Sequence, residues 1–210
     1  MRFCDFDTES DLQISDYDPS GKKMTLKTTN NKPVRFQIPR MYMPFGISGF
    51  TPEMGPTKYN VDFAMKGWDE EDNYVKNFYE FLRSLENKII DSVESQSVEI
   101  FGKNISKEEL LKIFNSNIKE SPGREPKFRT KVDTSYDDST IKFPIFDSNG
   151  SEVENCVATN GLYSRHSGVG IVELTSVYFL NKRFGMTWRL TQLKVFEPQR
   201  LKGFQFQLDD

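Results

Sequence analysis

The sequence predicts a mainly β domain that is interrupted by one helical insertion. Residues 33–38, 57–68 and 126–132 have apolar side chains at every second position, which is the pattern of half-buried strands. Between about residue 70 and residue 121 the apolar positions recur every three or four residues instead, as in amphipathic helices. Short strands with glycine-rich turns around one helix favour a small closed barrel over a parallel α/β sheet.

The amino-terminal segment is predicted to be an acidic, flexible arm over residues 1–20, because acidic residues crowd it. They are Asp5, Asp7, Glu9, Asp11, Asp16 and Asp18. A turn signal, Asp18-Pro-Ser-Gly21, follows the arm. The folded domain is therefore predicted to span residues 21–203, and residues 204–210 are predicted to start an acidic tail.

The strands before the helix are predicted at residues 24–29, 33–38 and 57–68. Residues 39–44 are bounded by prolines, so this segment is predicted to bend or to run at a sheet edge. Residues 46–56 are rich in glycine and proline and are predicted to form a loop. In the third strand one face is apolar and the other mostly polar: Tyr59, Val61, Phe63 and Met65 against Lys58, Asn60, Asp62, Lys66 and Trp68.

The helical insertion is predicted to contain a long amphipathic helix over about residues 70–95, with acidic residues at its start. A second helix is predicted to begin at Ser106, where Glu109 completes a capping box. Ser121-Pro-Gly123 ends it. Its predicted apolar stripe is Leu110, Leu111, Phe114 and Ile118.

Four strands are predicted after the insertion, at residues 126–132, 141–146, 170–180 and 185–196. This order of elements fits a five-stranded OB-type barrel with a long helix between its third and fourth strands.

The sequence contains no recognisable catalytic motif and no recognisable metal-binding motif. The residues His166, Cys4 and Cys156 give no recognisable set of metal ligands. Gly168-Val-Gly170 lacks the Gly-Lys-Ser/Thr ending of a phosphate loop and leads into a strand. We therefore predict no enzyme activity, no cofactor and no metal. The chain has no secretory h-region and no long apolar run, so we expect a soluble, intracellular protein that does not enter membranes.

Binding of a polyanion would need cations that collect locally, because the net charge is −3. Binding of single strands needs such cations beside aromatic rings. The candidate DNA-binding residues are Arg35, Arg40, Tyr42, Phe45, Lys58, Lys66, Trp68, Arg129, Lys131, Lys182, Arg183, Trp188 and Arg189. Two of the aromatic residues have open alternatives. Trp68 could instead pack under the long helix, and Trp188 could belong to the core.

The carboxy-terminal part of the chain resembles a known family. The resemblance lies in Gly168-Val-Gly170, the strand at 171–180 and the final strand, whose ending is Leu190-Thr-Gln-Leu-Lys-Val195. These features are similar to the end of the podophage-type single-stranded-DNA-binding proteins, and more closely to relatives in nucleocytoplasmic large DNA viruses, the giant viruses. The Pro39–Phe45 segment and the helix after Trp68 also suit that branch.

This resemblance implies an OB fold that coats single-stranded DNA without sequence preference during viral replication, recombination and repair. It also implies self-association, a location in the host nucleus or a cytoplasmic virus factory, and contact with replication proteins through an acidic tail. Residues 204–210 have aromatic residues before two acids, the reverse of the family order, so either the tail is cut off or its regulation is weak. The alternative functions are a structural or scaffolding β protein of a virion or replication complex, and RNA binding by the same barrel.

Overall fold

The computed structural model describes residues 2–198. The strands are β1 (Leu12–Ile14), β2 (Lys23–Thr28), β3 (Val34–Gln37), β4 (Met41–Met43), β5 (Ile47–Phe50), β6 (Lys58–Ala64), β7 (Phe114–Asn115), β8 (Ile118–Ser121), β9 (Arg124–Val132), β10 (Ile145–Phe146), β11 (His166–Leu180) and β12 (Arg183–Phe196). The helices are α1 (Tyr74–Ser95), α2 (Ser97–Phe101) and α3 (Lys107–Ile113). No helix in the described part of the chain is both long and apolar enough to cross a membrane.

Five strands close into a barrel in the circuit β4–β6–β9–β12–β11 and back to β4. Four of the five junctions are antiparallel, and β9 runs parallel to β12. This is the five-stranded OB-type barrel that the element order predicted. The segment at 39–44 contains β4, which closes the circuit between β11 and β6, and the predicted loop at 46–56 contains β5, which pairs with β6.

The long helix lies after the strand predicted at 57–68 and before the strand predicted at 126–132. The strand at residues 24–29, counted as the first in the sequence, is β2, which pairs with β11 outside the closed circuit. Counted within the closed circuit alone, the helix lies between the second strand, β6, and the third, β9. The helix begins at Tyr74, because the Asn73 side chain accepts a hydrogen bond from the backbone N–H of Val75 at 2.8 Å.

The capping box at Ser106 and Glu109 is present, but the second helix is shorter than predicted. It ends at Ile113, and Phe114 and Ile118 lie in β7 and β8 instead of on a helical stripe. Asn115 ends β7, and Ser116 and Asn117 separate it from β8; such residues favour turns over helix interiors. The end of the helical insertion therefore supplies two strands to the sheet.

The flexible arm predicted over residues 1–20 is wrong for the described residues. Phe3 is 2% exposed and Phe6 is 6% exposed. The ring of Phe3 lies 5.1 Å from that of Phe78 in α1, and the ring of Phe6 lies 4.9 Å from that of Phe36 in β3. The acidic residues gave the prediction, but the apolar residues between them anchor the segment to the core. The tail predicted at 204–210 lies outside the described residues.

We expect Phe6→Ala to lower the free energy of unfolding by about 3 kcal/mol, because it empties a ring-sized space in the core. Urea denaturation measures this change. Asp16→Ala, at an exposed position of the same segment, is the control and should change stability by less than about 0.5 kcal/mol. Equal stability of the two variants would mean that the segment is a loose arm after all.

Candidate nucleic-acid interface

A row of cations stands on the outer face of β9. Lys127, Arg129 and Lys131 alternate with the buried residues Phe128, Thr130 and Val132, so the three cations point to the same side, about 7 Å apart. On one side of this row β6 contributes Asn60 opposite Lys131. On the other side Arg189 of β12 is the register partner of Lys131.

A cavity of about 630 Å³ lies beside this row. Its cations come from four parts of the chain: Lys22, Lys58, Lys119, Arg129 and Lys131. Within the described structure, no Asp or Glu lines it. The fold thus concentrates positive charge locally in a chain whose formal net charge is −3.

A second cavity, of about 370 Å³, continues the first, because Lys58, Asn60 and Lys131 line both. It adds the cations Lys142 and Arg189, and the carboxylate of Asp133, which pairs with Arg189. We call the two cavities together the cationic groove. Its cations are Lys22, Lys58, Lys119, Arg129, Lys131, Lys142 and Arg189.

Two lysines of the groove have lowered pKa values. Burial lowers the pKa of Lys119, and the nearby positive charge of Arg129 lowers it further. Burial also lowers the pKa of Lys131, and the charges of Arg189 and Lys58 add to that effect. An anion placed between these groups would relieve the repulsion, so the groove is electrostatically suited to phosphate.

Carboxylates hold the two arginines of the groove in place. Arg129 donates from Nε and Nη2 to the two oxygens of Asp62, at 2.7 and 2.8 Å. Asp62 is buried, whereas Arg129 is partly exposed. This bidentate pair uses two of the five guanidinium N–H donors and fixes the plane of the group. Arg189 donates to Asp133 at 2.7 Å.

Three tyrosines line the groove: Tyr59, Tyr136 and Tyr178. Tyr136 is the most open, with 78% of its surface exposed. The hydroxyl of Tyr178 accepts a hydrogen bond from the side-chain amide of Asn115 at 2.8 Å. Exposed and half-exposed rings beside cations provide the flat faces on which unpaired bases stack.

The structure brings together four of the candidate residues in this groove: Lys58, Arg129, Lys131 and Arg189. A second group lies around β4. Tyr42 and Phe45 are exposed there, and Lys127 Nζ lies 5.8 Å from the ring centroid of Phe45. Tyr42 pairs with Ala64, which pairs with Lys127, so this group borders the same row of cations.

The remaining candidate residues do not line the groove. Arg35 forms an ion pair with Glu173, and Arg40 stacks on the ring of Phe196 at 3.9 Å. Lys66 is exposed after β6, and Lys182 and Arg183 are exposed at the turn between β11 and β12.

The tryptophans correct the predicted set. Trp188 as a DNA-binding residue is wrong, because it is 1% exposed and its ring packs 5.4 Å from that of Phe128. Trp68 packs against Tyr79 of α1 at 5.0 Å, which is the alternative that the sequence left open.

Six of the cations and tyrosines that line the groove were not in the predicted binding set. They are Lys22, Tyr59, Lys119, Tyr136, Lys142 and Tyr178. Lys119 lies in a segment that was predicted to be helical. Tyr136 lies in an irregular segment, where the apolar residues do not recur at the spacing of a strand or a helix. Tyr178 alone had a readable signal, because it alternates with buried residues in β11.

The barrel and the groove define the class of molecule: an OB-type barrel with the cationic groove on its outer face. Residues 69–207 match the model of a family that is described as a family of unknown function (DUF5871). The chain belongs to that family. A search of curated proteins finds no relative of this sequence.

The solved structures that are similar to this chain include two phage proteins. The first is gp2.5, a single-stranded DNA binding protein encoded by bacteriophage T7. It is 13% identical, with 82% of this chain and 91% of that chain covered and a TM-score of 0.49. The second is the single-stranded DNA-binding protein of bacteriophage Enc34 in complex with single-stranded DNA. It is 7% identical, with 91% and 99% covered and a TM-score of 0.46.

Within residues 2–198, no three His, Cys, Asp or Glu side chains come together as a possible metal site.

Proposed function

We propose that this protein binds single-stranded DNA in the cationic groove, without sequence preference and without catalysis. The observation that carries the proposal is the continuity of the groove, in which seven cations and three tyrosines line two joined cavities. Cations neutralise phosphates, and each stacked base contributes roughly 1–3 kcal/mol. Phosphates and the π-faces of bases are common to all sequences, which accounts for the absence of a preference.

The geometry favours an unpaired strand over a duplex. The cations line two recesses in the surface, where Lys119 is half-buried and where burial lowers the pKa values of Lys119 and Lys131. A flexible strand can enter such a recess and place its bases on tyrosines, whereas the bases of a duplex are stacked on each other. The bidentate Asp62–Arg129 pair orders one cation before the strand arrives, which reduces the entropy that binding costs.

We propose that the protein binds single-stranded DNA during viral DNA replication, recombination and repair. The resemblance of the last two strands to the proteins of giant viruses supports this part of the proposal. Self-association and contact with replication proteins through the carboxy-terminal acids belong to the same proposal, as does a location in the host nucleus or a cytoplasmic virus factory.

We expect a short fluorescein-labelled oligo-dT to bind, with affinity that falls steeply as salt rises. Each phosphate contact of a single strand contributes about 0.7 to the slope of log affinity against log salt, so five to seven contacts predict a slope of about −3.5 to −5. Fluorescence anisotropy at several salt concentrations measures this slope.

Matched duplex DNA and oligo-U RNA are the comparison ligands in that titration. Weaker binding of the duplex supports the proposed preference for single strands. Tighter binding of oligo-U than of oligo-dT would mean that the ligand is RNA and not DNA. If none of the three binds at low salt, the proposal fails and the structural or scaffolding function takes its place.

A further inference from the structure

The parallel junction between β9 and β12 is an open seam in the barrel wall. The two strands share a single register pair, Lys131 with Arg189. Toward the amino-terminal end of each strand the pairing passes to other strands: β12 pairs with β7 through Phe184 and Gly185, and β9 pairs with β8 through Lys127 and Phe128. The segment from Phe114 to Ile118 thus fills only one end of the seam.

The larger cavity of the groove lies over this seam. Its lining includes Thr130 of β9, Met186 and Thr187 of β12, and Tyr178 of β11. On another side lie Asn115, Ser116 and Asn117. A volume of about 630 Å³, apolar atoms and a few convergent polar groups are the properties of a pocket for a small molecule.

The wall formed by Asn115 and Tyr178 is held in a fixed position. Asn115 Nδ2 donates to Tyr178 Oη at 2.8 Å, and Lys119 Nζ donates to Asn115 Oδ1 at 3.0 Å. A Cβ atom at Gly185 would lie 2.8 Å from both the Asn115 carbonyl oxygen and Tyr178 Oη, so glycine permits this close packing. Tyr178 Oη accepts from Asn115 and keeps its own proton for another partner.

Polar groups at the seam retain hydrogen-bonding capacity. Within residues 2–198, the half-buried Asn60 side chain makes no hydrogen bond. Asn117 donates from Nδ2 to the Arg129 carbonyl oxygen at 2.9 Å, which leaves its own side-chain oxygen to accept. An amide beside a flat apolar surface matches the edge of a nucleobase, to which it can both donate and accept.

We propose that this seam pocket takes one nucleotide, with its base inside the pocket and its phosphate on the lysines at the rim. Asn60 lies where the two cavities meet and contacts the edge of the base, while Lys119 and Lys131 contact the phosphate. The inference rests on the proposed function and adds to it a position where one base is held by its edge. Because the Asn60 amide can both donate and accept, this contact is open to any base. Elsewhere in the groove the strand is held through phosphates and stacking.

The test uses the full chain and two small probes, thymidine 5′-monophosphate and deoxyribose 5-phosphate, which differ only in the base. In ¹⁵N NMR, the thymidine nucleotide is expected to shift the side-chain amide signals of Asn60 and Asn117 saturably. Deoxyribose 5-phosphate is expected to leave these two signals in place. Equal shifts with both probes would mean that the site reads phosphate alone, which overturns the proposal.

The variant Asn60→Leu removes the amide and keeps the volume and the net charge. It is expected to weaken binding of the nucleotide about tenfold and of oligo-dT roughly threefold to tenfold, with the salt slope unchanged because no cation is lost. Asn87→Leu, at an exposed position of α1, is the matched control. An unchanged nucleotide affinity in Asn60→Leu contradicts the role of Asn60.

The outcomes also separate this proposal from the proposed function. If oligo-dT binds but the mononucleotide causes no base-dependent shift, the seam pocket is wrong and the binding of DNA in the cationic groove stands. If neither oligo-dT nor the mononucleotide binds, both proposals are wrong. If the mononucleotide binds and oligo-dT does not displace it, the pocket is a site for free nucleotides, and the proposed insertion of a base from a DNA strand is wrong.

Discussion

The double variant Lys58→Glu/Lys131→Glu is expected to weaken binding of oligo-dT by roughly a hundredfold at about 0.1 M salt. Between about 1 M and 0.1 M salt each phosphate contact contributes roughly fivefold, so the loss of two contacts accounts for about twenty-five-fold. The two new carboxylates repel the strand and supply the rest. Both lysines line both cavities, so the variant acts at the centre of the groove.

The matched control is Lys103→Glu/Lys112→Glu, which makes the same change in net charge at exposed positions of the helical insertion. It should alter affinity by less than about threefold, because neither lysine lines the groove and salt screens exposed charges that do not touch the strand. Anisotropy measures binding and circular dichroism checks that both variants fold. Equal losses in the two variants would show that net charge, and not the groove, governs binding.

The variant Arg129→Met is expected to lose both stability and affinity. It leaves the carboxylate of Asp62 buried without its bidentate partner. Breaking a buried pair from one side destabilises a protein by several kcal/mol. Since Arg129 is partly exposed and water can reach its place, we expect a loss of about 2 kcal/mol in the free energy of unfolding.

A second variant separates the two effects. Arg129→Met/Asp62→Leu removes both charges and should return stability to within about 1 kcal/mol of the original chain. Its affinity for oligo-dT should stay about fivefold or more below the original, because the phosphate contact is still missing. Recovery of affinity together with stability would mean that Arg129 serves the fold only.

The sequence predicted the strands that carry clear alternation, and these strands hold half of the groove. In β9 every second residue is buried, and in β6 the alternating apolar residues Val61 and Phe63 are buried, so the pattern placed Lys58, Arg129 and Lys131 on the outer face correctly. The closure through β4 could not be read, because two prolines within a short segment are equally compatible with a bend. Closure of a barrel is a long-range property that three residues do not reveal.

The rest of the groove depends on contacts between distant parts of the chain. Lys22, Lys119 and Lys142 lie in turns or short strands and meet at the groove only through the topology of the barrel. Trp188 was predicted to bind DNA and is buried instead. Alternation indicated that it shares a face with apolar residues, but its position beside Arg189 is also typical of a binding residue, and the sequence does not show which side chains are buried. In the first twenty residues, charge dominated the composition while Phe3 and Phe6 determined the packing.

The most direct test of the central claim is a map of the bound strand on the protein by ¹⁵N NMR, with unlabelled oligo-dT added at low salt and then released at high salt. We expect the reversible shifts to concentrate at Lys58, Asn60, Lys119, Arg129 and Lys131. Shifts that gather on the outer face of α1 or around Arg35 and Arg40, with the groove residues unmoved, would contradict it.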